Sequence, residues 1–265
     1  MATIQVGSHT AYHDDIGAGH PVLLISGLGS TRLGWWKQIK PFSRAFRVIN
    51  MDNRDAGDSA LGTSAYTIAD MAKDTAGVIQ SLNLGRPHLV GISMGGMIAQ
   101  ELAIRHPELV DRLVLVSTTA GGPTGVNARP EIVALLLSAE QDVDTRVRRT
   151  FTAIAGEGYM AAHPNDLDRI VKNAIAKPMS AESYQRQLGA CMGHFRLGVS
   201  DQLSQIAAPT LVVHGDTDPL VPHENGRYLA AHIRGAQLLT YPGVGHLPPI
   251  EAPRRFNREV IAFLR

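Results

Sequence analysis

The chain's sharpest chemical signal is a serine between two glycines. Ser93 sits in His88-Leu89-Val90-Gly91-Ile92-Ser93-Met94-Gly95-Gly96, with an apolar run before it and a helical pattern after it. A serine displayed on a tight strand-to-helix turn adopts a strained backbone. Side chains at Gly91 and Gly95 would clash there, so both positions need glycine. The turn lifts Ser93 Oγ into the open and places it at a helix N-terminus, where free N–H groups and the dipole favour developing negative charge. A serine hydroxyl attacks well only when a base takes its proton. Of the 11 histidines, His246 has the setting of a base. It lies in Tyr241-Pro242-Gly243-Val244-Gly245-His246-Leu247-Pro248-Pro249, a glycine-rich loop between the last strand and the last helix, on the edge where open sheets place their sites. His88 begins a strand, His106 ends a helix, and His163, His194, His223 and His232 fall in helical or surface contexts. The residue that orients the base should follow a strand between the other two. Gly215-Asp216-Thr217-Asp218-Pro219-Leu220-Val221-Pro222 offers two aspartates. Asp216 falls in the tight turn, where an aspartate commonly bonds its own backbone. Asp218 lies further towards the sheet edge and is preferred. Ser93, Asp218 and His246 together would perform nucleophilic acyl transfer.

These three residues need a scaffold that brings distant loops to one edge. Short apolar runs recur at Val22–Ile25, Val48–Asp52, His88–Ile92, Leu113–Ser117, Thr210–His214 and Gln237–Tyr241. Without polar alternation, they suit strands buried on both faces of a parallel sheet. Helical patterns lie between them. One runs from Thr67 to Leu82, with Thr67 as N-cap and Asp70 in the capping-box position. Others run from Met94 to Arg105 and from Arg254 to Leu264. Ile4–Val6 and Thr10–Asp14 suggest an antiparallel edge hairpin. The expected class is α/β, a mostly parallel doubly wound sheet. From Gly121 to about Gln205 the alternation stops. Val133–Leu137, Thr145–Ala155, Asp166–Ala176 and Ala181–Met192 read as helices, with no convincing strand among them. The segment is too long for a plain loop. The expected organisation is a core of residues 1–120 and 206–265 with a helical cap, residues 121–205, inserted after the sixth strand.

Across nearly its whole length the chain resembles α/β-hydrolase fold enzymes. It is particularly similar to small serine esterases and to the 3-oxoadipate enol-lactonase group. The matching pieces are Ser26-Gly27-Leu28-Gly29, Asp52-Asn53-Arg54-Asp55-Ala56-Gly57-Asp58-Ser59, Gly91 to Gly96, Gly215 to Pro222, and Gly245-His246. Ser, Asp, His is that family's order of triad residues. The family's Gly-x-x-Asp-x-x-x-Pro stretch implies Asp218, with Pro222, as the acid. The resemblance also implies an oxyanion hole made by the backbone N–H groups of Met94 and Leu28, with Ser26 where the family usually has histidine. Asp55 stands where a glycine is commoner, and the stretch around it is read as structural. Epoxide hydrolases and haloalkane dehalogenases of the fold carry aspartate at the Ser93 position. The Gly-Gly-Gly-Pro loop of many carbon–carbon bond hydrolases is absent from Gly27–Thr31. The expected activity is hydrolysis of a small or medium-sized carboxylic ester through an acyl-enzyme on Ser93. A lactonase with the same triad is the alternative, and a triad-retaining ligand receptor or signalling protein is an alternative of another class. Trp35, Trp36, Phe151, Tyr184 and Phe195 are the candidate substrate-binding residues, with Leu136, Ile154 and Tyr159 further pocket candidates. Arg146, Arg148 and Arg149 read as a solvated helix face.

The composition limits partners. Of 265 residues, 25 are Lys or Arg and 24 Asp or Glu, a net charge of +1, which gives no electrostatic case for nucleic acid or an anionic membrane. Hydrophobic residues make up 44% and charged residues 18%, enough for a sizeable core and too few charges for disorder. The lone Cys191 allows no intrachain disulfide and fits a reducing compartment. No signal peptide or membrane-length apolar run is read, so the expected location is cytoplasmic. No cofactor is expected, and no zinc-type spacing is visible among the histidines.

Overall fold

The computed structural model describes residues 2–7, 9–138, 140 and 142–265. Its strands are β1 (Ala2–Val6), β2 (His9–Gly17), β3 (Pro21–Ile25), β4 (Arg47–Met51), β5 (His88–Ile92), β6 (Leu113–Val116), β7 (Thr210–Gly215) and β8 (Gln237–Tyr241). They form one sheet in the order β1-β2-β4-β3-β5-β6-β7-β8. Pairings from β4 to β8 are parallel, while β1, β2 and β4 pair antiparallel as an edge hairpin and its neighbour.

The apolar runs are continuous because both faces of the sheet are covered. Successive side chains sort into two cores, as the pleat requires. Leu23, Ile25 and Leu89 point to one side and pack with Ile79, Met97, Ile98 and Leu102. Val22, Leu24, Val90 and Val114 point to the other and pack with Phe42, Phe256 and Val260. Full burial of each such side chain contributes roughly 1.5–3 kcal/mol. The covering helices include α1 (Trp36–Phe42), α2 (Ile68–Ser81) and α3 (Met94–Arg105). Helix α2 starts at the expected capping box: Thr67 Oγ1 accepts from Asp70 N, and Asp70 Oδ2 accepts from Thr67 N at 2.8 Å.

Between β6 and β7 the described residues contain no strand. They form α4 (Pro130–Leu136), α5 (Val143–Ile154), α6 (Tyr159–Ala162), α7 (Pro164–Ala176) and α8 (Ala181–Leu197). The short α6, which periodicity does not reveal, follows Gly158 in a left-handed turn (φ 70°). Helix α8 runs on to Leu197 instead of stopping near Met192. A third apolar cluster joins Ile132, Val147, Ile154 and Ile170 of this segment to Leu247 and Ile250 beyond β8. The chain closes with α9 (His223–His232), α10 (Pro248–Glu251) and α11 (Pro253–Leu264). No helix of the described residues is long and apolar enough to cross a membrane.

Candidate active site

Ser93 sits between β5 and α3 with φ 55° and ψ −120°, a conformation that costs a non-glycine residue of order 1–3 kcal/mol. Its surroundings explain the glycines. A Cβ on Gly91 would lie 2.2 Å from Gly95 O, one on Gly95 2.2 Å from Ile25 O, and one on Gly96 2.6 Å from Thr118 Cβ. The helix therefore starts in backbone contact with the end of β3. The turn is held by Ser93 N donating to Val116 O (2.9 Å) and Thr118 Oγ1 donating to Ser93 O (2.8 Å).

Asp218 and His246 meet across the ends of β7 and β8. His246 Nδ1 lies 2.8 Å from Asp218 Oδ2. An ionised carboxylate only accepts, so Nδ1 is the donor, which in a neutral imidazole leaves the lone pair on Nε2. The second oxygen, Oδ1, accepts from Leu220 N and Val221 N, each at 2.9 Å. A buried histidine at the end of β7, His214, donates from Nε2 to Val221 O (2.8 Å) and lies 3.4 Å from Asp218 Oδ2. Burial alone would raise the Asp218 carboxyl, but His246 and His214 hold it at about 2. Asp216 does not close on its own turn. Its Oδ1 accepts from Gly243 N at 2.7 Å and links the loops after β7 and β8.

The His246 loop has an anchor that local sequence does not reveal. Glu251 accepts from Gly245 N and Leu247 N, and also from Gly156 N in the segment between β6 and β7. His246 N itself donates to Ile154 O at 2.8 Å.

The loop after β3 lies against Ser93: a Cβ on Gly27 would sit 3.2 Å from Ser93 Cβ. Gln187 of α8 holds this loop by accepting from Gly29 N (3.1 Å), and Asn53 Nδ2 donates to Ser26 O (3.0 Å). Among the described residues neither Leu28 N nor Met94 N donates to another backbone carbonyl, leaving both free for another acceptor.

Ser93 and His246 open into a cavity of about 390 Å³ that Leu28 also lines, between the sheet edge and α4, α5, α7 and α8. Trp35, Trp36, Leu136, Phe151, Ile154 and Tyr184 all line it. Phe195 does not; it packs against the main core, the cluster that includes Cys191 and Val199. Both Tyr184 and Phe195 lie on α8 and nearly share a face, but eleven positions carry Phe195 about 16 Å along the axis, past the cavity. Tyr159 is also displaced: its hydroxyl lies 2.7 Å from Asp166 Oδ2 and 2.8 Å from Ile250 O. The three arginines of α5 separate. Arg148 pairs with Asp144 and Asp168, Arg149 is exposed, and Arg146 lines the cavity with no ion pair among the described residues.

The Asp52–Ser59 stretch is a frame. Buried Asp52 accepts from Arg32 N (2.8 Å) and Asp58 N (3.0 Å). Asp55 has φ 67°, which explains why glycine is common there and why aspartate is tolerated. Its carboxylate accepts from Gly62 N, Tyr66 Oη, Ser183 Oγ and both Arg186 Nε and Nη2, at 2.7–3.0 Å. It thereby pins α8 to the core.

A family model described as the alpha/beta hydrolase fold matches residues 20–253. A protein of Agrobacterium fabrum with the provisional name carbamate hydrolase RutD is 29% identical over 97% of both chains. The 2-hydroxy-6-oxononadienedioate/2-hydroxy-6-oxononatrienedioate hydrolase of Burkholderia vietnamiensis is 31% identical over 96% of this chain and 90% of its own. Among solved structures, the enol-lactonase from Burkholderia xenovorans LB400 superposes with a TM-score of 0.87 at 25% identity, covering 99% of each chain. With an eight-stranded, mostly parallel sheet and a glycine-framed serine at its edge, the chain belongs to the α/β-hydrolase fold family and is a hydrolase.

Proposed function

We propose that this hydrolase cleaves a carboxylic ester of a small or medium-sized substrate through an acyl-enzyme on Ser93. The observation that carries the reading is the 2.8 Å contact between His246 Nδ1 and buried Asp218, with His246 and Ser93 lining the same cavity. His246 Nε2 takes the Ser93 proton as Oγ attacks the acyl carbonyl. Asp218 fixes the tautomer and stabilises the imidazolium. The N–H groups of Leu28 and Met94 receive the oxyanion. His246 then protonates the leaving group, and water repeats the sequence on the acyl-enzyme. Loss of one oxyanion donor typically costs ~10²–10³ in turnover.

Residues 121–205 act as a cap that closes the cavity over the core formed by 1–120 and 206–265. The apolar walls from Trp35, Trp36, Phe151 and Tyr184 suit an acyl chain or an alcohol of moderate size, and the volume is that of a small-molecule site. Arg146 on the cap side makes esters bearing a second carboxylate worth including among the substrates tested. A lactonase is the second reading, favoured by the similarity in fold to an enol-lactonase.

The test is turnover of a p-nitrophenyl acyl series and matched lactones, wild type beside Ser93→Ala. Serine-dependent ester turnover supports the esterase, and a preference for lactones supports the second reading. A single slow turnover with the acyl group retained on Ser93 points to a receptor or signalling role. Undiminished turnover in Ser93→Ala removes Ser93 as the nucleophile.

A further inference from the structure

On the sheet edge opposite Ser93, three side chains distant in sequence converge. His20 immediately precedes β3, His88 is the first residue of β5, and Asp111 lies in the turn before β6. These strands are neighbours in the sheet. Val22 pairs with His88, and Asp111 N donates to Pro87 O at 3.1 Å. The register therefore fixes all three residues at the amino ends of adjacent strands.

Both imidazole nitrogens stand at a metal-compatible distance from the carboxylate oxygen. His20 Nε2 lies 3.4 Å and His88 Nδ1 3.3 Å from Asp111 Oδ2, and all three atoms fall within 4.8 Å of one another. In a tetrahedron with zinc–nitrogen and zinc–oxygen bonds of about 2.0–2.1 Å, neighbouring ligand atoms stand roughly 3.3–3.4 Å apart.

The second observation is an unanswered lone pair. His88 is 3% exposed, and its Nδ1 makes no hydrogen bond. A buried imidazole nitrogen and a carboxylate oxygen that face each other without a hydrogen bond invite a cation between them. The His88 ring is set in place by Phe46, edge-on at 5.8 Å, and by the His20 ring at 4.1 Å. Arg112, next to Asp111 in the chain, holds its guanidinium over the Phe263 ring. The side chains of His20 and Asp111 are 44% and 39% exposed, so water can complete the coordination.

We propose that His20 Nε2, His88 Nδ1 and Asp111 Oδ2 form a zinc site, completed by water, that clamps the amino ends of β3, β5 and β6. The ligand set, two imidazoles and one carboxylate, suits zinc or another first-row transition ion better than magnesium or calcium. The clamp is remote from the cavity and acts on stability rather than on turnover.

The test uses the full chain, free of any affinity tag and stripped with chelator. Zinc chloride is titrated by calorimetry into wild type, His20→Gln and Asp111→Asn, and melting is followed with and without zinc. The expected result is one zinc bound per chain, a rise in Tm with zinc, and at least a tenfold loss of affinity together with loss of the Tm rise in each variant. Magnesium chloride should produce neither effect. If Asp111→Asn melts too early to be judged, His20→Gln decides, because that side chain is half-exposed. Absence of zinc binding in wild type, or binding and a Tm rise that His20→Gln retains in full, overturns the site.

Discussion

Replacing Asp218 by asparagine tests the assignment of the acid with almost no change in shape. The amide oxygen of the new side chain can keep the two 2.9 Å bonds from Leu220 N and Val221 N. Its NH₂ then faces His246 Nδ1, where Oδ2 had been, at 2.8 Å. Two donors cannot face each other, so the imidazole moves its proton to Nε2 and can no longer accept from Ser93. A wrong tautomer of this kind costs ~10⁴ in kcat, or about 5 kcal/mol of transition-state stabilisation. The stability cost is smaller. The Asp218 carboxyl falls from 3.8 to about 2 on folding, which corresponds to on the order of 2 kcal/mol. Because the folded value is the lower one, this contribution is present above pH ~4 and is lost as pH falls towards 2. The assay pairs kcat/KM on a p-nitrophenyl ester with urea unfolding at pH 7. The expected outcome is a folded variant with activity down by about four orders of magnitude. Asp216→Asn is the control, since an amide oxygen can still accept from Gly243 N, and it should stay within about threefold of wild type. Asp218→Asn activity above a tenth of wild type, or an equal loss in Asp216→Asn, would refute the reasoning.

Three further outcomes follow from the geometry. Gly95→Ala places a Cβ 2.2 Å from Ile25 O and 2.9 Å from Ser26 O, so it should push the loop carrying Leu28 away from Ser93, abolish measurable turnover and lower stability by about 1–3 kcal/mol; circular-dichroism melting beside the ester assay checks both. Asp55→Asn leaves Arg186 without its carboxylate and should cost about 2 kcal/mol at pH 7. The folded Asp55 carboxyl is held below its ordinary value, against its burial, by Arg186 and its other donors. The wild type's advantage should therefore shrink as pH falls through that range, which urea unfolding at several pH values would show. Burial pushes the Cys191 thiol up to about 12, so a thiol reagent at pH 8 should label the native protein only as it unfolds; labelling at the rate of a free thiol would contradict the buried placement.

What the sequence disclosed is what local chemistry encodes. The elbow was legible because Gly91, Gly95 and Gly96 are demanded by contacts around the Ser93 turn. The strands were legible because two covered faces leave no polar alternation. Partners chosen across the fold were not legible. Gln187 on the loop after β3, Arg186 on Asp55, His214 beside Asp218 and Glu251 under His246 have meaning only once distant elements are docked. Phe195 shows the limit of helical periodicity, which gives the face of a helix but not how far along it the cavity extends. His20, His88 and Asp111 carry no recognisable spacing, since strand order alone brings them together.

The bonds from His246 N to Ile154 O and from Gly156 N to Glu251 have a consequence for how this scaffold can be re-engineered. The cavity wall at the end of α5 and the backbone around His246 are one hydrogen-bonded unit. Under the mechanism proposed above, lifting the end of α5 would break these bonds and release His246, coupling admission of substrate to assembly of the triad. For the same reason this wall is not an exchangeable module. A graft of 121–205 from a relative would have to bring residues that match the loop from Gly243 to Glu251, or the transplanted specificity would arrive with a misaligned histidine.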